Sequence, residues 1–308
     1  MNIIFFGSGK FAVPSLEALV NATHAIALVI TQPDKPKGRR LNFYPTEVKI
    51  KAEELHLKVF QPQNPNTPDA LEVFKNIPAD LYVVIAYGHI LKETLLQLPA
   101  LYPLNVHASL LPKYRGAAPI NWAIIHGEKE TGVTVIKMDM GIDTGDILLQ
   151  KRIPIEGFDI AQTLQDKLAH LAAEALIESL ESIRQNTVQF TKQNEAEASY
   201  APKLEKNYGL INWNSYASNI VNQIRGLCPW PGAYTYHKGK MIKIFKARAL
   251  DYPEDNPGRV LAISKEKIVI GCQEGAVEIF ELQQESGMRM AAGAFICGYK
   301  VHTGEIVG

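Results

Sequence analysis

The first half of the chain alternates short runs of apolar, often β-branched residues with amphipathic segments of helical periodicity. Up to about residue 155, this alternation is typical of parallel strands joined by crossover helices. The predicted strands are NIIFFG (2–7), AIALVITQ (25–32), DLYVVIAYG (80–88), PLNVHAS (103–109), GVTVIKMD (132–139) and GDILLQKRI (145–153). The predicted helices are VPSLEALVN (13–21), PTEVKIKAEEL (45–55), APINWAIIHG (118–127) and the long segment at 161–183. The pattern therefore predicts an α/β domain with a parallel sheet.

The pattern changes after the long helix. Residues 190–206 are mostly polar, lack a regular period and contain a proline, which is typical of an interdomain linker. Beyond one more helix, short alternating runs are separated by turn residues, and this arrangement predicts a small β-barrel. We therefore expect a catalytic domain over 1–189, a linker over 190–206 and a β-barrel domain over 207–308.

Composition and charge exclude several classes of protein. The 308 residues are 46% hydrophobic, enough for a substantial core, and 32 Lys and Arg balance 32 Asp and Glu. Whole-chain charge thus gives no sign of a nucleic-acid partner. Cys228, Cys272 and Cys297 show no C-x-x-C spacing, which argues against a disulfide framework or a zinc site. With no signal peptide and no apolar run of roughly 20 residues, we expect a soluble cytoplasmic protein.

The strand PLNVHAS ends in an asparagine and a histidine two residues apart. Strand geometry predicts Val106 on one face and both Asn105 and His107 on the other, at the carboxyl end where this fold class binds ligands. Either residue alone would more often be a structural hydrogen-bonding group. The pair, followed by the loop SLLPKYRGAAP, favours a functional site.

An imidazole in such a site needs a third polar group to orient it. The segment MDMGIDTGD offers Asp139, Asp143 and Asp146 around a glycine-rich turn. Three acids could indicate a metal, but no histidine or glutamate nearby has metal-ligand spacing. Asp143 lies between glycines that allow close approach to a ligand, so it is the candidate partner, and no metal is predicted.

A basic segment follows the second predicted strand. QPDKPKGRRLNFYP (32–45) is too polar and too interrupted by proline and glycine to be core, so it is predicted to be an exposed loop. It could be a solvated connection. Loops at the carboxyl ends of strands border the ligand crevice, however, so the interpretation that this loop faces an anion is favoured.

Four motifs occur in order along the chain: VVIAYGHIL, NVHASLLPKYRGAAPINWAI, MDMGIDTGDIL and QIRGLCPWPGAYT. In these motifs the chain resembles the methionyl-tRNA formyltransferase family over essentially its full length. The resemblance implies a Rossmann-like formyltransferase domain followed by a C-terminal β-barrel of the oligonucleotide-binding (OB) type. It also implies transfer of a formyl group from 10-formyltetrahydrofolate to the α-amine of methionyl initiator tRNA, without a metal.

The resemblance also assigns roles to individual residues. The implied catalytic residues are Asn105, His107 and Asp143. The implied folate-binding residues are Ser109, Leu110, Leu111 and Pro112, with Ile85, Ala86, Tyr87, Gly88, Ile90 and Leu91 forming a wall of the pterin pocket. The implied tRNA-binding residues of the basic loop are Lys35, Lys37, Arg39 and Arg40.

The second domain has only a small excess of positive charge. From residue 207 onward, 11 Lys and Arg stand against 9 Asp and Glu, a surplus of two, so tRNA binding there would depend on where the basic side chains lie. In KMIKIFKARA, strict alternation places Lys246 and Arg248 with Ile242 and Ile244, and Lys243 on the other face. Lys243, Lys246 and Arg248 are the candidates. A solvated barrel edge would show a similar pattern.

Two other functions remain open. A sugar-nucleotide formyltransferase acting on a 4-amino sugar would share the Asn, His and Asp constellation. A non-catalytic folate- or RNA-binding module would not need all three residues.

Overall fold

The computed structural model describes residues 1–37, 42–253, 256–299 and 301–308. The strands are β1 (Asn2–Gly7), β2 (Ala25–Ile30), β3 (Lys35–Lys37), β4 (Asn42–Tyr44), β5 (Val59–Phe60), β6 (Leu81–Ile85), β7 (Tyr102–His107), β8 (Arg115–Gly116), β9 (Glu130–Lys137), β10 (Ile147–Pro154), β11 (Tyr200–Ala201), β12 (Ala233–His237), β13 (Lys240–Leu250), β14 (Val260–Ile263), β15 (Ile268–Gly271), β16 (Ala276–Gln284) and β17 (Met290–Ala291). The helices are α1 (Val13–Asn21), α2 (Glu47–Glu54), α3 (Pro68–Lys75), α4 (Glu93–Leu96), α5 (Pro119–Ile125), α6 (Ala161–Arg184), α7 (Ala217–Gly226) and α8 (Ala292–Tyr299).

The main sheet of the first half has the strand order β10-β9-β7-β6-β1-β2-β5. β1 pairs in parallel with β2 and β6, and β6 pairs in parallel with β7, which confirms the predicted α/β domain. The sheet is mostly parallel, but β7 pairs with β9 in the antiparallel sense. A run of apolar residues shows that a strand is buried, but it does not show in which direction the strand runs. β9 is buried along most of its length, so its sequence resembles that of a central parallel strand.

Some elements escaped the sequence analysis. β5 has two residues, too few to show a period, and it joins the edge of the sheet beside β2. Helix α3 begins after Thr67, whose side chain accepts a hydrogen bond from the backbone N–H of Ala70, with Pro68 at the first helical position. A capping threonine followed by proline is a start signal that could have revealed this helix.

A cluster of aromatic rings lies beside β1. The Phe6 ring centroid is 5.7 Å from that of Phe74, 5.2 Å from that of Tyr82 and 5.5 Å from that of Tyr87. All four side chains are almost fully buried. The cluster fixes Tyr87 just beyond the carboxyl end of β6, where the predicted pterin wall begins.

The C-terminal sheet has the order β12-β13-β16-β15-β14, with β17 on β16. The pairs β12–β13, β13–β16, β14–β15, β15–β16 and β16–β17 are all antiparallel, which confirms a β-structured C-terminal domain. Its core contains Ile242, Ile244, Val277, Ile279 and Leu282.

The chain divides into two compact units. One comprises residues 1–116, 131–153 and 165–200, and the other comprises 117–130, 154–164 and 201–308. The predicted domain limits at 189 and 206 remain a prediction. Within the second unit α5 packs on α7, where the Asn121 side chain donates a hydrogen bond to the carbonyl of Gly226 and a Cβ at Gly226 would press on Ile125.

The described ranges contain no helix that is both long and apolar enough to cross a membrane.

Candidate active site

The structure brings the three predicted polar residues together at the end of β7. Asn105 Nδ2 donates a hydrogen bond of 3.2 Å to Asp143 Oδ1, and His107 Nδ1 lies 3.4 Å from Asp143 Oδ2. Asp143 is separated from the strand by more than thirty positions in sequence. Because β9 runs antiparallel to β7, the loop after β9 begins beside Leu104, and it folds back along β7 to bring Asp143 to Asn105 and His107.

The His107 ring is buried and held from two sides. Its Nε2 lies 2.9 Å from the carbonyl oxygen of Tyr114, and its Nδ1 faces the Asp143 carboxylate. A carbonyl oxygen only accepts, so Nε2 carries a proton that it donates to Tyr114. The Nδ1 contact is the longer of the two, so the ring is held more closely on the side of Tyr114 than on the side of Asp143.

Asp143 occupies an unusual backbone conformation. Its φ angle is +57°, in the left-handed region that few non-glycine residues adopt. Its Oδ2 also accepts a hydrogen bond of 2.8 Å from the backbone N–H of Gly116. The carboxylate thus contacts Asn105, His107 and Gly116.

The turn around Asp143 is fixed by short local contacts. Asp139 Oδ1 accepts from the N–H of Gly141 at 2.9 Å and from Thr144 Oγ1 at 2.6 Å. A Cβ at Gly145 would collide with the carbonyl oxygen of Lys137, so only glycine fits there without a shift of the backbone. The glycines of this segment serve the turn that presents Asp143.

Two residues of this site, Gln193 and Arg115, were not predicted from the sequence. Gln193 Nε2 donates to the carbonyl oxygens of Asp143 and Gly145, both at 2.8 Å, and Arg115 donates to Gln193 Oε1. Gln193 falls in the segment predicted as linker, and no local pattern distinguishes it. Arg115 could have been noticed as a charged residue within the segment SLLPKYRGAAP, but its near-complete burial is visible only in the structure.

The predicted folate segment at 109–112 is held by Thr134. The Thr134 hydroxyl donates to the carbonyl of Ser109 at 2.7 Å and accepts from the N–H of Leu111 at 3.1 Å. Ser109 Oγ donates to the carbonyl of Lys113, and Leu111 is buried. Leu110 and Pro112 remain partly accessible, so they are the members of this segment whose side chains can meet a ligand.

The predicted pterin wall divides into inward and outward residues. The side chains of Ile85, Tyr87 and Leu91 are buried, and burial raises the pKa of the Tyr87 hydroxyl. Ala86 and Gly88 are exposed, with positive φ angles of 47° and 82°. The exposed members can offer backbone groups and small surfaces to a ligand, whereas the buried members can only shape the wall.

Apolar side chains stand exposed on the loops that follow β6 and β9. Ile90 is 72% exposed, Met140 61% and Ile142 59%. Exposed apolar side chains on loops beside a candidate site can contact a partly apolar ligand. Met140 and Ile142 flank the turn that carries Asp143, and sequence analysis did not single them out.

Comparison with known proteins places the chain in a family. The family model described as "Formyl transferase" matches residues 1–180, and the model "Formyl transferase, C-terminal domain" matches residues 203–300. The methionyl-tRNA formyltransferase of Caldanaerobacter subterraneus subsp. tengcongensis is 47% identical, and that of Acetivibrio thermocellus is 46% identical, each over 100% of both chains. The chain belongs to the methionyl-tRNA formyltransferase family. It is accordingly an enzyme that transfers a one-carbon formyl group.

A solved structure shares the fold at lower identity. The N-formyltransferase from Helicobacter canadensis, solved with folinic acid and dTDP-3-aminofucose, has a TM-score of 0.69 and 23% sequence identity, and the match covers 94% of this chain and 99% of that one. This likeness bears on the fold alone. Full-length relatives named methionyl-tRNA formyltransferase are twice as similar, so family membership favours the tRNA substrate over an amino sugar.

The basic segment of this formyltransferase is partly a hairpin, where a loop was predicted. β3 and β4 pair in the antiparallel sense, with Lys35 opposite Tyr44. Strands of three residues, one of them containing a proline, are too short to show the apolar alternation on which the prediction depended. The Lys35 ammonium donates to Gln32 Oε1. Arg39, Arg40 and the side chain of Lys37, also predicted to bind tRNA, lie outside the described residues.

Two aromatic residues on this hairpin were not predicted as functional. Phe43 is 72% exposed and Tyr44 is 49% exposed. Exposed aromatic rings beside basic residues are a surface on which nucleic-acid bases stack. The run NFY following the arginines was the available sequence signal.

The basic residues of β13 lie on its outer face. The pairing of β13 with β16 is irregular around Lys246, so the alternation inverts there: Ile242 and Ile244 point into the core before it, and Ala247 packs on the same core after it. The strict alternation predicted for Lys246 and Arg248 was therefore wrong. The irregularity turns both side chains outward, to the side that Lys243 also faces.

These three side chains differ in their contacts. Lys243 Nζ donates to the carbonyl of Pro231 at 3.1 Å, and Lys246 is exposed. Arg248 pairs with Glu278, a fully buried carboxylate that Lys267 also contacts. Burial acts to raise the pKa of Glu278, but the hydrogen bonds from Lys267 and Arg248 leave that pKa below its usual value. Arg248 thus helps to neutralise the buried Glu278 carboxylate, whereas Lys246 is an exposed side chain on the same strand.

Among the residues that the structure describes, no group of three or more His, Cys, Asp and Glu side chains is arranged to hold a metal ion.

Proposed function

We propose that this chain transfers the formyl group of 10-formyltetrahydrofolate to the α-amine of the methionine on initiator tRNA, with Asn105, His107 and Asp143 as its catalytic residues. The observation that carries the proposal is the cluster of these three side chains at the end of β7, within a chain of this family. The folate donor is further supported by the folinic acid in the related Helicobacter canadensis structure.

The chemistry requires stabilisation of a negative oxygen. When the amine nitrogen attacks the formyl carbon, the C=O electron pair moves to the oxygen, and the tetrahedral adduct that forms carries an oxyanion. Asn105 Nδ2 carries two protons. One is donated to Asp143, which leaves the second to donate to the oxyanion.

His107 and Asp143 manage the protons. His107 offers a second donor to the oxyanion when Nδ1 carries a proton, and the Asp143 carboxylate orients the ring. The amine must lose a proton as its new C–N bond forms, and the Asp143 carboxylate accepts it directly or through water. The adduct collapses by breaking the bond between the formyl carbon and the folate nitrogen, which takes up a proton in return.

An assay of product identity tests this function. The protein is incubated with 10-formyltetrahydrofolate and methionyl-tRNA, and acid-stable formylmethionine is measured after release from the tRNA. Parallel reactions contain a dTDP-linked amino sugar in place of the tRNA. Formylated sugar without formylmethionine would overturn the proposal and support the sugar-nucleotide alternative. Binding of folate without transfer to either acceptor would support the non-catalytic module.

The tRNA is proposed to contact Lys35, Lys37, Arg39 and Arg40 near the hairpin, and Lys243, Lys246 and Arg248 on β13. The outward position of the β13 residues supports this proposal for the C-terminal sheet. The exposed Phe43 adds a stacking surface to the basic hairpin. A net surplus of two charges means that these local groups must provide the attraction.

Lys246→Ala is expected to weaken tRNA binding without affecting the fold. Removal of one phosphate contact lowers the slope of log affinity against log salt by about one unit. The KM for methionyl-tRNA should rise several-fold, whereas the affinity for folate and the urea midpoint stay unchanged. Lys75→Ala, which removes an exposed lysine from the end of α3, is the matched control. An unchanged salt slope for Lys246→Ala would assign this lysine to the solvated edge of the sheet.

A further inference from the structure

The turn that presents Asp143 is braced by two side chains that the chemistry above does not use. Gln193 donates both protons of its amide nitrogen, one to the carbonyl of Asp143 and one to the carbonyl of Gly145, each at 2.8 Å. Its amide oxygen accepts from Arg115, at 3.1 Å from Nε and 2.8 Å from Nη2. The Gln193 amide is therefore fully committed, and its orientation is fixed from both ends.

Arg115 is itself held firmly. Its guanidinium is 1% exposed and forms two parallel bonds to Glu195, at 2.8 and 2.7 Å. These hydrogen bonds raise the pKa of Arg115 and lower the pKa of Glu195. A fork of this geometry resists rotation, so Arg115 gives Gln193 a fixed anchor.

The same segment supports the Asp143 carboxylate. Gly116, the residue after Arg115, donates its backbone N–H to Asp143 Oδ2 at 2.8 Å. The Arg115–Gly116 pair therefore restrains Asp143 twice, at its carboxylate through Gly116 and at its backbone through Gln193.

Asp143 needs such restraint because of its backbone. A left-handed φ of +57° is unfavourable for a non-glycine residue relative to ordinary conformations. Bonds from outside the turn add to its local contacts in keeping the carboxylate beside Asn105 and His107. The bonds from Gln193 are placed on the carbonyls of Asp143 itself and of the residue two positions later, so they restrain the turn directly.

We infer that Gln193, anchored by Arg115, is a positioning residue for formyl transfer, which holds the left-handed turn at Asp143 so that its carboxylate stays aligned with Asn105 and His107. The inference rests on the proposed catalytic role of Asp143.

Gln193→Ala is expected to lower single-turnover formylation by roughly 10- to 100-fold, because small displacements of a catalytic group carry such costs. The KM values for tRNA and folate should change by less than about threefold. Gln193→Glu keeps an acceptor for Arg115 but sets a carboxylate oxygen against two carbonyl oxygens, so it should be at least as slow as the alanine variant. Gln97→Ala, at an exposed glutamine whose side chain donates to Glu93 one helical turn away, is the control and should behave as wild type.

A double-mutant cycle with Asp143→Asn decides whether Gln193 acts through Asp143. Asparagine tolerates the left-handed turn, so the single variant preserves the backbone. In that background Gln193→Ala should cost less than about threefold, since the group that it positions is already lost. The inference alone would be overturned if Gln193→Ala slowed formylation by the same factor in the wild-type and the Asp143→Asn protein. It would also be overturned if Gln193→Ala had a wild-type rate while Asp143→Asn was slow. A wild-type rate for Asp143→Asn would overturn the proposed catalytic role as well.

Discussion

His107→Ala is expected to lower turnover by roughly 10² to 10⁴-fold while folate binding changes little. The imidazole is buried, is oriented by the carbonyl of Tyr114 and faces the Asp143 carboxylate. Its removal deletes a donor to the oxyanion and leaves the Asp143 carboxylate without the ring that faces it. Because both effects belong to the transition state, the loss should fall on kcat.

Rapid-quench kinetics measures the loss of turnover, and calorimetry measures folate binding separately. Asn105→Ala should show a loss of similar kind, and combining it with His107→Ala should cost much less than the product of the two losses, since the residues act as one unit. His170→Ala, at an exposed histidine on α6, serves as the control. Equal losses of folate affinity and turnover would instead identify the cluster as scaffolding of the pocket.

Phe6→Ala should destabilise the first compact unit by about 3 to 5 kcal/mol. The ring is fully buried and packs on Phe74, Tyr82 and Tyr87 at the same time, so alanine leaves a cavity that β1, central in its sheet, cannot collapse to fill. Urea unfolding followed by the circular dichroism of the helices measures the loss.

The same substitution connects packing to the proposed pocket. Tyr87 loses one of its ring partners in Phe6→Ala, so folate affinity should fall in the fraction of protein that remains folded. Phe6→Leu retains most of the volume and should cost only about 1 to 2 kcal/mol with folate affinity nearly intact. A Phe6→Ala protein as stable as wild type would show that the cluster contributes little to the fold.

The chain's own pattern determined most of the secondary structure. Apolar runs located β1, β2, β6, β7, β9 and β10, and helical periodicity located α1 and α6, because burial on one or both faces requires particular residues at particular spacings. The pattern also identified Asn105 and His107, since their positions at the end of an apolar strand follow from strand geometry. Their grouping with Asp143 was a prediction that the distances support.

Only the tertiary structure decided how these pieces are oriented. The direction of β9 and the irregularity that turns Lys246 outward depend on hydrogen-bonded partners far away in sequence. The hairpin in the basic segment pairs near neighbours, but its strands are too short and too polar to show an apolar alternation. Gln193 contacts Asp143 from 50 positions away and Arg115 from 78 positions away. A local sequence pattern reports which side chains must be buried, whereas the bonds that hold a catalytic carboxylate in place form only when distant segments meet.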